Sequence, residues 1–347
     1  MTSVRPILRR ALRIASLAVC VAVATAAPAL AQPVSAPFPI GKPVSMYLGF
    51  EPGGGNDQIM RLVARNIGRH LPGSPSVIPR NMPGAGGRRL AGHMYNSAPR
   101  DGTELAMISR GVTTDPLLVD PMLNFSVQDL TWLGAPTSTT DTCVVWHAAK
   151  VQSIADLKTT EMVVAGSGNE AAQLRILRQL VGARIRSVVG YPGAPAMNLA
   201  MERGEADGRC SLSWESMKAS MADWVNAKKI KPIVQFAMAR HPELKDVPAI
   251  LEFATTDLDR DALRIILLPT VFGFPFAAPP HLSAEVRDTL RTAYERMLRD
   301  PQFIDEARKM KLDISPVRGE ELERAARAAY ASTPEAIARA KELIAPH

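Results

Sequence analysis

Only three cysteines occur in the 347 residues, too few for a small scaffold held by disulfides. The chain also lacks tandem repeats and low-complexity tracts, so repeat architectures and disorder as the dominant state are excluded. It has no G-x-x-x-x-G-K-[ST] phosphate loop, no G-x-S-x-G elbow, no C-x-x-C and no H-E-x-x-H. The histidines (His70, His93, His147, His241, His281, His347) are scattered without ligand spacing, so neither a metal nor a cofactor is expected. Beyond the N-terminus no long uncharged apolar run appears. Against these absences stand 46% hydrophobic residues, enough for a sizeable core, and a length that suggests two domains.

The charge balance, 41 Lys+Arg against 34 Asp+Glu, gives a formal +7 that resembles a nucleic-acid binder. Its distribution argues otherwise. Arg5, Arg9, Arg10 and Arg13 fall in the first 13 residues, which hold no acidic group. An apolar stretch follows over 14–27, then Pro28 and Ala29-Leu30-Ala31 before Gln32. This is the design of a secretory signal peptide, cleaved near Ala31-Gln32, and 14 residues fall short of the ~20 that span a bilayer. Removing four of the seven net charges leaves +3, spread over mixed-charge helices. An exported, soluble protein that binds no nucleic acid is expected.

In the exported chain two cysteines remain, Cys143 and Cys210, 67 positions apart. A bridge closing that loop would contribute roughly 4 kcal/mol on the loop-entropy model. A disulfide and a pair of buried free thiols both remain open at this point.

Strands alternate with helices along the chain. A strand at 44–50 precedes a helix over 57–70, whose Ile59, Leu62, Val63 and Ile67 share one face. Further strands are expected at 76–79, 103–109, 143–146, 162–165, 187–189, 209–213 and 233–239, with a last one at 271–276. Helices near 283–299, 301–310 and 319–343 finish the chain. The pattern implies an α/β fold with mostly parallel sheets flanked by helices. Three glycine loops occupy strand-to-helix junctions: Pro52-Gly53-Gly54-Gly55-Asn56-Asp57, Pro83-Gly84-Ala85-Gly86-Gly87 and Gly166-Ser167-Gly168-Asn169. Free N–H groups at such junctions, backed by a helix dipole, suit a carboxylate or phosphate. In a parallel sheet they gather at the strands' C-terminal ends. The third loop also fits G-x-G-x-x-A, but Glu170 would set a carboxylate beside a pyrophosphate, so a dinucleotide is discounted.

The loops, together with Asn81-Met82 before the second and Ala98-Pro99-Arg100-Asp101-Gly102-Thr103 after it, resemble the solute receptors of tripartite tricarboxylate transporters, the Bug or TctC-like receptors. The similarity continues through Tyr191-Pro192-Gly193-Ala194-Pro195-Ala196, Gly204-Glu205-Ala206-Asp207, the stretch 240–248 and Phe276-Ala277-Ala278-Pro279. The resemblance implies a type II-like, two-domain periplasmic binding protein with its ligand cleft between the domains. Domain one would comprise 32–136 and 262–347, and domain two 137–261, inserted by two crossings. It further implies a monomer that closes on a small carboxylate: a di- or tricarboxylate, an aromatic or an amino carboxylate. Integral-membrane permease subunits or a sensor ectodomain would read the closed form. By the same resemblance Phe50, Gly54, Gly55, Asp57, Gly84, Ala85 and Gly86 would hold the ligand, and Ser167, Gly168, Tyr191 and Gly193 would close over it. Three residues depart from the family pattern. Glu51 stands where a neutral residue is usual, Asn56 where a small hydroxyl is common, and Arg88 where a small or amide residue is usual. Asn56, at the helix start, is kept among the expected ligand-binding residues, as is Arg88, placed to clamp a carboxylate bidentately. The competing reading is an exported α/β enzyme acting on carboxylates or esters, which the missing motifs disfavour.

Overall fold

The structure, a computed structural model, describes residues 37–345 except Gly54, Asp120, Pro121, Asn169 and Pro192, and except the side chain of Ala219. The expected signal peptide at 1–31 and the site residue Gly54 therefore lie outside the described residues. The chain begins with β1 (Val44–Leu48), α1 (Gly55–Ile67), β2 (Val77–Asn81), α2 (Arg88–Asn96), β3 (Glu104–Met107), α3 (Asp115–Leu118) and β4 (Thr131–Ala135). It continues with β5 (Asp141–Trp146), β6 (Met162–Ala165), α4 (Ala171–Ile176), β7 (Ile185–Val188) and α5 (Ala194–Glu202). Then come β8 (Gly208–Ser213), α6 (Trp214–Ser220), α7 (Ala222–Asn226), β9 (Ile230–Phe236) and α8 (Asp257–Ile266). Last are α9 (Leu268–Phe272), β10 (Phe276–Ala278), α10 (Ala284–Leu298), α11 (Pro301–Lys309), β11 (Val317–Arg318), α12 (Gly319–Tyr330) and α13 (Pro334–Ile344).

Two sheets result, ordered β11-β4-β10-β3-β1-β2 and β7-β6-β8-β5-β9. In the first, β1, β2, β3 and β4 run one way while β10 and β11 oppose them. In the second, β5 alone opposes its four neighbours. Both sheets are therefore mixed. The strands that the chain enters on passing from one sheet to the other, β5 and β10, run against the rest. Alternation explains β1, where Val44, Met46 and Leu48 are buried and Ser45 and Tyr47 are half-buried. The apolar face of α1 (Met60, Leu62, Val63, Ile67) packs on that sheet. Its Arg65 stays on the wet side, pairing with Glu306 at 2.6 Å, and in the turn that follows Arg69 pairs with Asp300 at 2.8 Å.

Three expectations change. The strand expected at 271–276 is instead α9 followed by the short β10. Pro269 in the first turn suits a helix start, and burial of Phe272 edge-on against Trp132, 4.8 Å between centroids, outweighs the β propensity of Thr270 and Val271. The single helix expected at 319–343 is two, because the Thr333 side chain caps a new start at Pro334. That new helix, α13, buries Ala336, Ala340 and Leu343 in the core of the second sheet, against α4 and α8. The expected division placed all of 262–347 with the first sheet; α13 packs on the other side.

Candidate ligand-binding cleft

Because β1 pairs in parallel with β2 and β3, the loops leaving these strands cluster at one sheet edge. In the first loop the Asp57 carboxylate turns inward. It accepts hydrogen bonds from Gly53 N at 2.9 Å, Arg61 Nε at 2.8 Å and Asn81 Nδ2 at 3.0 Å. Burial alone would raise its pKa, but these bonds and the Arg61 charge hold it at about 2. Asn81 also donates to the Phe50 carbonyl at 2.9 Å, so the loop is clamped onto β2. In the second loop Gly84, Ala85, Gly86 and Gly87 all take positive φ. A Cβ on Gly87 would lie 2.7 Å from Ser109 Cβ, and one on Gly49 would lie 2.9 Å from Gly87 Cα. The second loop is thus packed closely between the chain leaving β1 at Gly49 and the loop after β3 at Ser109.

A cavity of about 590 Å³ opens between the two sheets. Phe50, Asn56, Met107 and Ser109 form one wall; Asp141, Gln173, Ser211 and Phe236 face them from the second sheet's side. The 266–274 connection closes the back with Ile266, Thr270 and Phe274. Among the described lining residues only Arg110 and Asp141 carry charge. Arg110 follows β3 and Asp141 opens β5. The guanidinium Nη1 donates to Thr139 Oγ1, and Nη2 lies 3.3 and 3.4 Å from the Asp141 oxygens. Those contacts leave the Arg110 Nε–H without an acceptor among the described residues, so the cavity offers a charged donor. Behind Asp141, Glu215 has its pKa raised by burial first and by the Asp141 charge second. No group of His, Cys, Asp and Glu among the described residues is arranged to hold a metal ion.

Ser211 reaches the wall through an irregular strand pair. The β5–β8 register shifts between Thr142 and Val144, and there Cys143 and Cys210 are joined in a disulfide. Ser211 takes a positive φ of 60° and its N–H donates to Gln173 Oε1 at 2.7 Å. The bulge re-aims the strand toward the cavity.

No protein-family model matches the chain. A curated relative, the UPF0065 protein in the tcbD-tcbE intergenic region of Pseudomonas sp. strain P51, is 24% identical over 226 residues, or 62% of this chain. The chain spans 64% of that relative's length. A TctC solute binding protein from Polaromonas superposes with a TM-score of 0.65 at 17% identity, covering 87% of this chain and 97% of that one. The fold is that of a TctC solute-binding protein. An R. palustris protein with adipate shares it at a TM-score of 0.55 and 19% identity, over 86% and 95% of the two chains.

Within this TctC-type fold the residues singled out from sequence separate into groups. Phe50 and Asn56 line the cavity. Gly55 opens α1 beside Asn56, while Asp57 serves the clamp described above. Gly84, Ala85 and Gly86 are off the wall, in the packed second loop. Arg88 Nε pairs with Asp115 at 2.8 Å, which occupies that guanidinium within the first sheet's own side. Glu51 is exposed. On the second sheet's side, the N–H groups of Ser167 and Gly168 donate to Glu170 Oε2 at 3.1 and 3.0 Å, and Ser187 Oγ donates to its other oxygen. The chain's own carboxylate therefore occupies that glycine loop, and a Cβ on Gly166 would sit 1.9 Å from Glu170 Oε1. Tyr191 packs beside Met197 and Ala200, and Gly193 precedes α5, its carbonyl accepting the Met197 N–H. Sequence reasoning missed Arg110, Asp141, Gln173 and Ser211. Arg110 alone had a usable signal, being in the loop after a parallel strand, but that loop has no run of glycines.

Proposed function

We propose that the chain is a periplasmic solute-binding receptor of the TctC and Bug type, which captures a small organic carboxylate between two lobes built on the two sheets. The observation that carries this reading is the cavity between the sheets, with the under-used Arg110 guanidinium on its wall. Two lobes joined by connecting segments that pass between them can close by hinge motion. The R. palustris protein of the same fold is solved with adipate, which supports a carboxylate as cargo. The closed form would be read by permease subunits of a tripartite transporter or by a sensor, with the receptor acting as a monomer in the periplasm. The cavity's serines, Ser109 and Ser211, share it with no histidine among the described lining residues, which favours capture over acyl-transfer chemistry.

A thermal-shift panel of mono-, di- and aminocarboxylates tests the proposal. A true ligand at a hundred times its Kd adds roughly 2.7 kcal/mol of stability. Arg110→Gln is expected to fold normally and to lose at least tenfold in affinity for that ligand, as removal of a charge-assisted contact should. A panel without a single shift, or full affinity in Arg110→Gln, contradicts the assignment.

A further inference from the structure

Resting on the receptor reading above, we infer that the ligand is an aminocarboxylate with an apolar side chain, its carboxylate taken by Arg110 and its ammonium by Asp141. Three observations carry this. The described cavity lining holds one cation and one anion, which suits a ligand carrying one charge of each sign better than a ligand with two or three carboxylates. The two charged side chains stand next to each other but pair loosely, at 3.3 and 3.4 Å through a single nitrogen. Among the described residues Arg110 keeps its Nε–H without an acceptor, and the Asp141 carboxylate receives no hydrogen bond except those from Arg110. A ligand carboxylate placed at the open edge of the guanidinium therefore sets an adjacent ammonium within reach of Asp141.

The second observation is electrostatic. Asp141 is nearly buried, with 12% of its side chain exposed, and Glu215 lies close enough for the two carboxylates to repel. His241 Nε2 is 4.0 Å from Glu215, and burial lowers the pKa of that imidazole, disfavouring its charged form. Lys218, the remaining cation near Glu215, is held by Asp313 at 2.6 Å and Glu243 at 2.9 Å. An incoming ammonium relieves the repulsion at Asp141, whereas a second ligand carboxylate would add to it. The third observation is the apolar part of the wall, whose other polar side chains, Asn56, Ser109, Gln173, Ser211 and Thr270, are uncharged. Phe50, Met107, Ile176, Phe236, Ile266 and Phe274 form an apolar surround, which takes a hydrocarbon side chain and leaves a distal carboxylate without a charged partner.

Calorimetric titration of the whole exported chain with L-leucine, L-phenylalanine, their amine-free counterparts 4-methylpentanoate and 3-phenylpropanoate, and adipate tests the inference. At least one amino acid is expected to bind tenfold or more tightly than its amine-free counterpart and than adipate. Asp141→Asn should remove that preference, weakening the amino acid at least tenfold while leaving the amine-free acid no weaker. The wild-type comparison stands even if the variant fails to fold. Adipate or an amine-free acid binding as tightly as the amino acids, or an equal loss for both classes in Asp141→Asn, overturns the aminocarboxylate assignment while leaving the receptor reading intact. Silence toward every carboxylate class overturns both.

Discussion

Glu215 accepts the Thr140 N–H at 3.2 Å and lies beside Asp141, where burial first and the Asp141 charge second raise its pKa above 4.5. The folded chain therefore holds this proton more tightly than the unfolded chain. Stability contributed by the protonated form is present below pH 4.5 and is lost as pH rises through the raised folded value. Glu215→Gln, neutral throughout and still able to accept from Thr140, is expected to melt above the wild type at pH 7. The difference should shrink toward zero as pH falls to 4.5, as scanning calorimetry at several pH values would show. A variant less stable than wild type at pH 7 would mean that the ionised carboxylate is stabilising. At the same scale, legibility was uneven. Phe50 and Asn56 were readable because they flank a glycine run at a strand-to-helix junction, a local pattern. Arg110 was not, since its importance depends on Asp141, which adopts its position through a strand of the other sheet. Glu170 was noticed only as an obstacle to pyrophosphate. That it fills the glycine loop itself depends on the approach of Ser187 from β7, which no local pattern reveals.

Elements whose signals agreed at every level came through from the sequence: β1 and α1 have apolar periodicity, a glycine loop between them and buried faces that point the same way, while β2, an edge strand with no buried residue, was marked by the glycine loop that follows it. The elements that were misread are those where tertiary packing overrode propensity. The segment at α9 is β-branched yet helical, because Phe272 must fill the space against Trp132. The break before α13 has a sequence signature, Thr333-Pro334, that continuous amphipathic spacing on either side concealed. The disulfide was open in sequence because a separation of 67 gives no information on approach. Pairing of β5 with β8 settles it. Since the bond ties the strand carrying Asp141 to the strand carrying Ser211, its reduction acts on the cleft as well as on the core. Replacing both cysteines by serine is expected to lower unfolding free energy by up to about 4 kcal/mol. Denaturant titration checks this, and unchanged stability would show that the strands hold their register without the bond.

At the scale of the whole molecule, the chain passes between the sheets three times: before β5, between α8 and α9, and before α13. An ion pair adds a link at the rim, where Lys218 on α6 meets Asp313 at 2.6 Å, beside Leu312 and Ile314 of the first sheet's core. The cleft is therefore framed by chain connections and by two ion pairs, Lys218–Asp313 and Arg110–Asp141, that must break if the proposed receptor is to open. The most direct test of the account is a crystal structure of the exported chain with the carboxylate that gives the largest thermal shift. That carboxylate is expected inside the cavity between the sheets, within hydrogen-bonding distance of Arg110 and between Phe50 and Phe236. A carboxylate bound instead at the 166–168 loop with Glu170 displaced, or anywhere out of reach of Arg110, would contradict it.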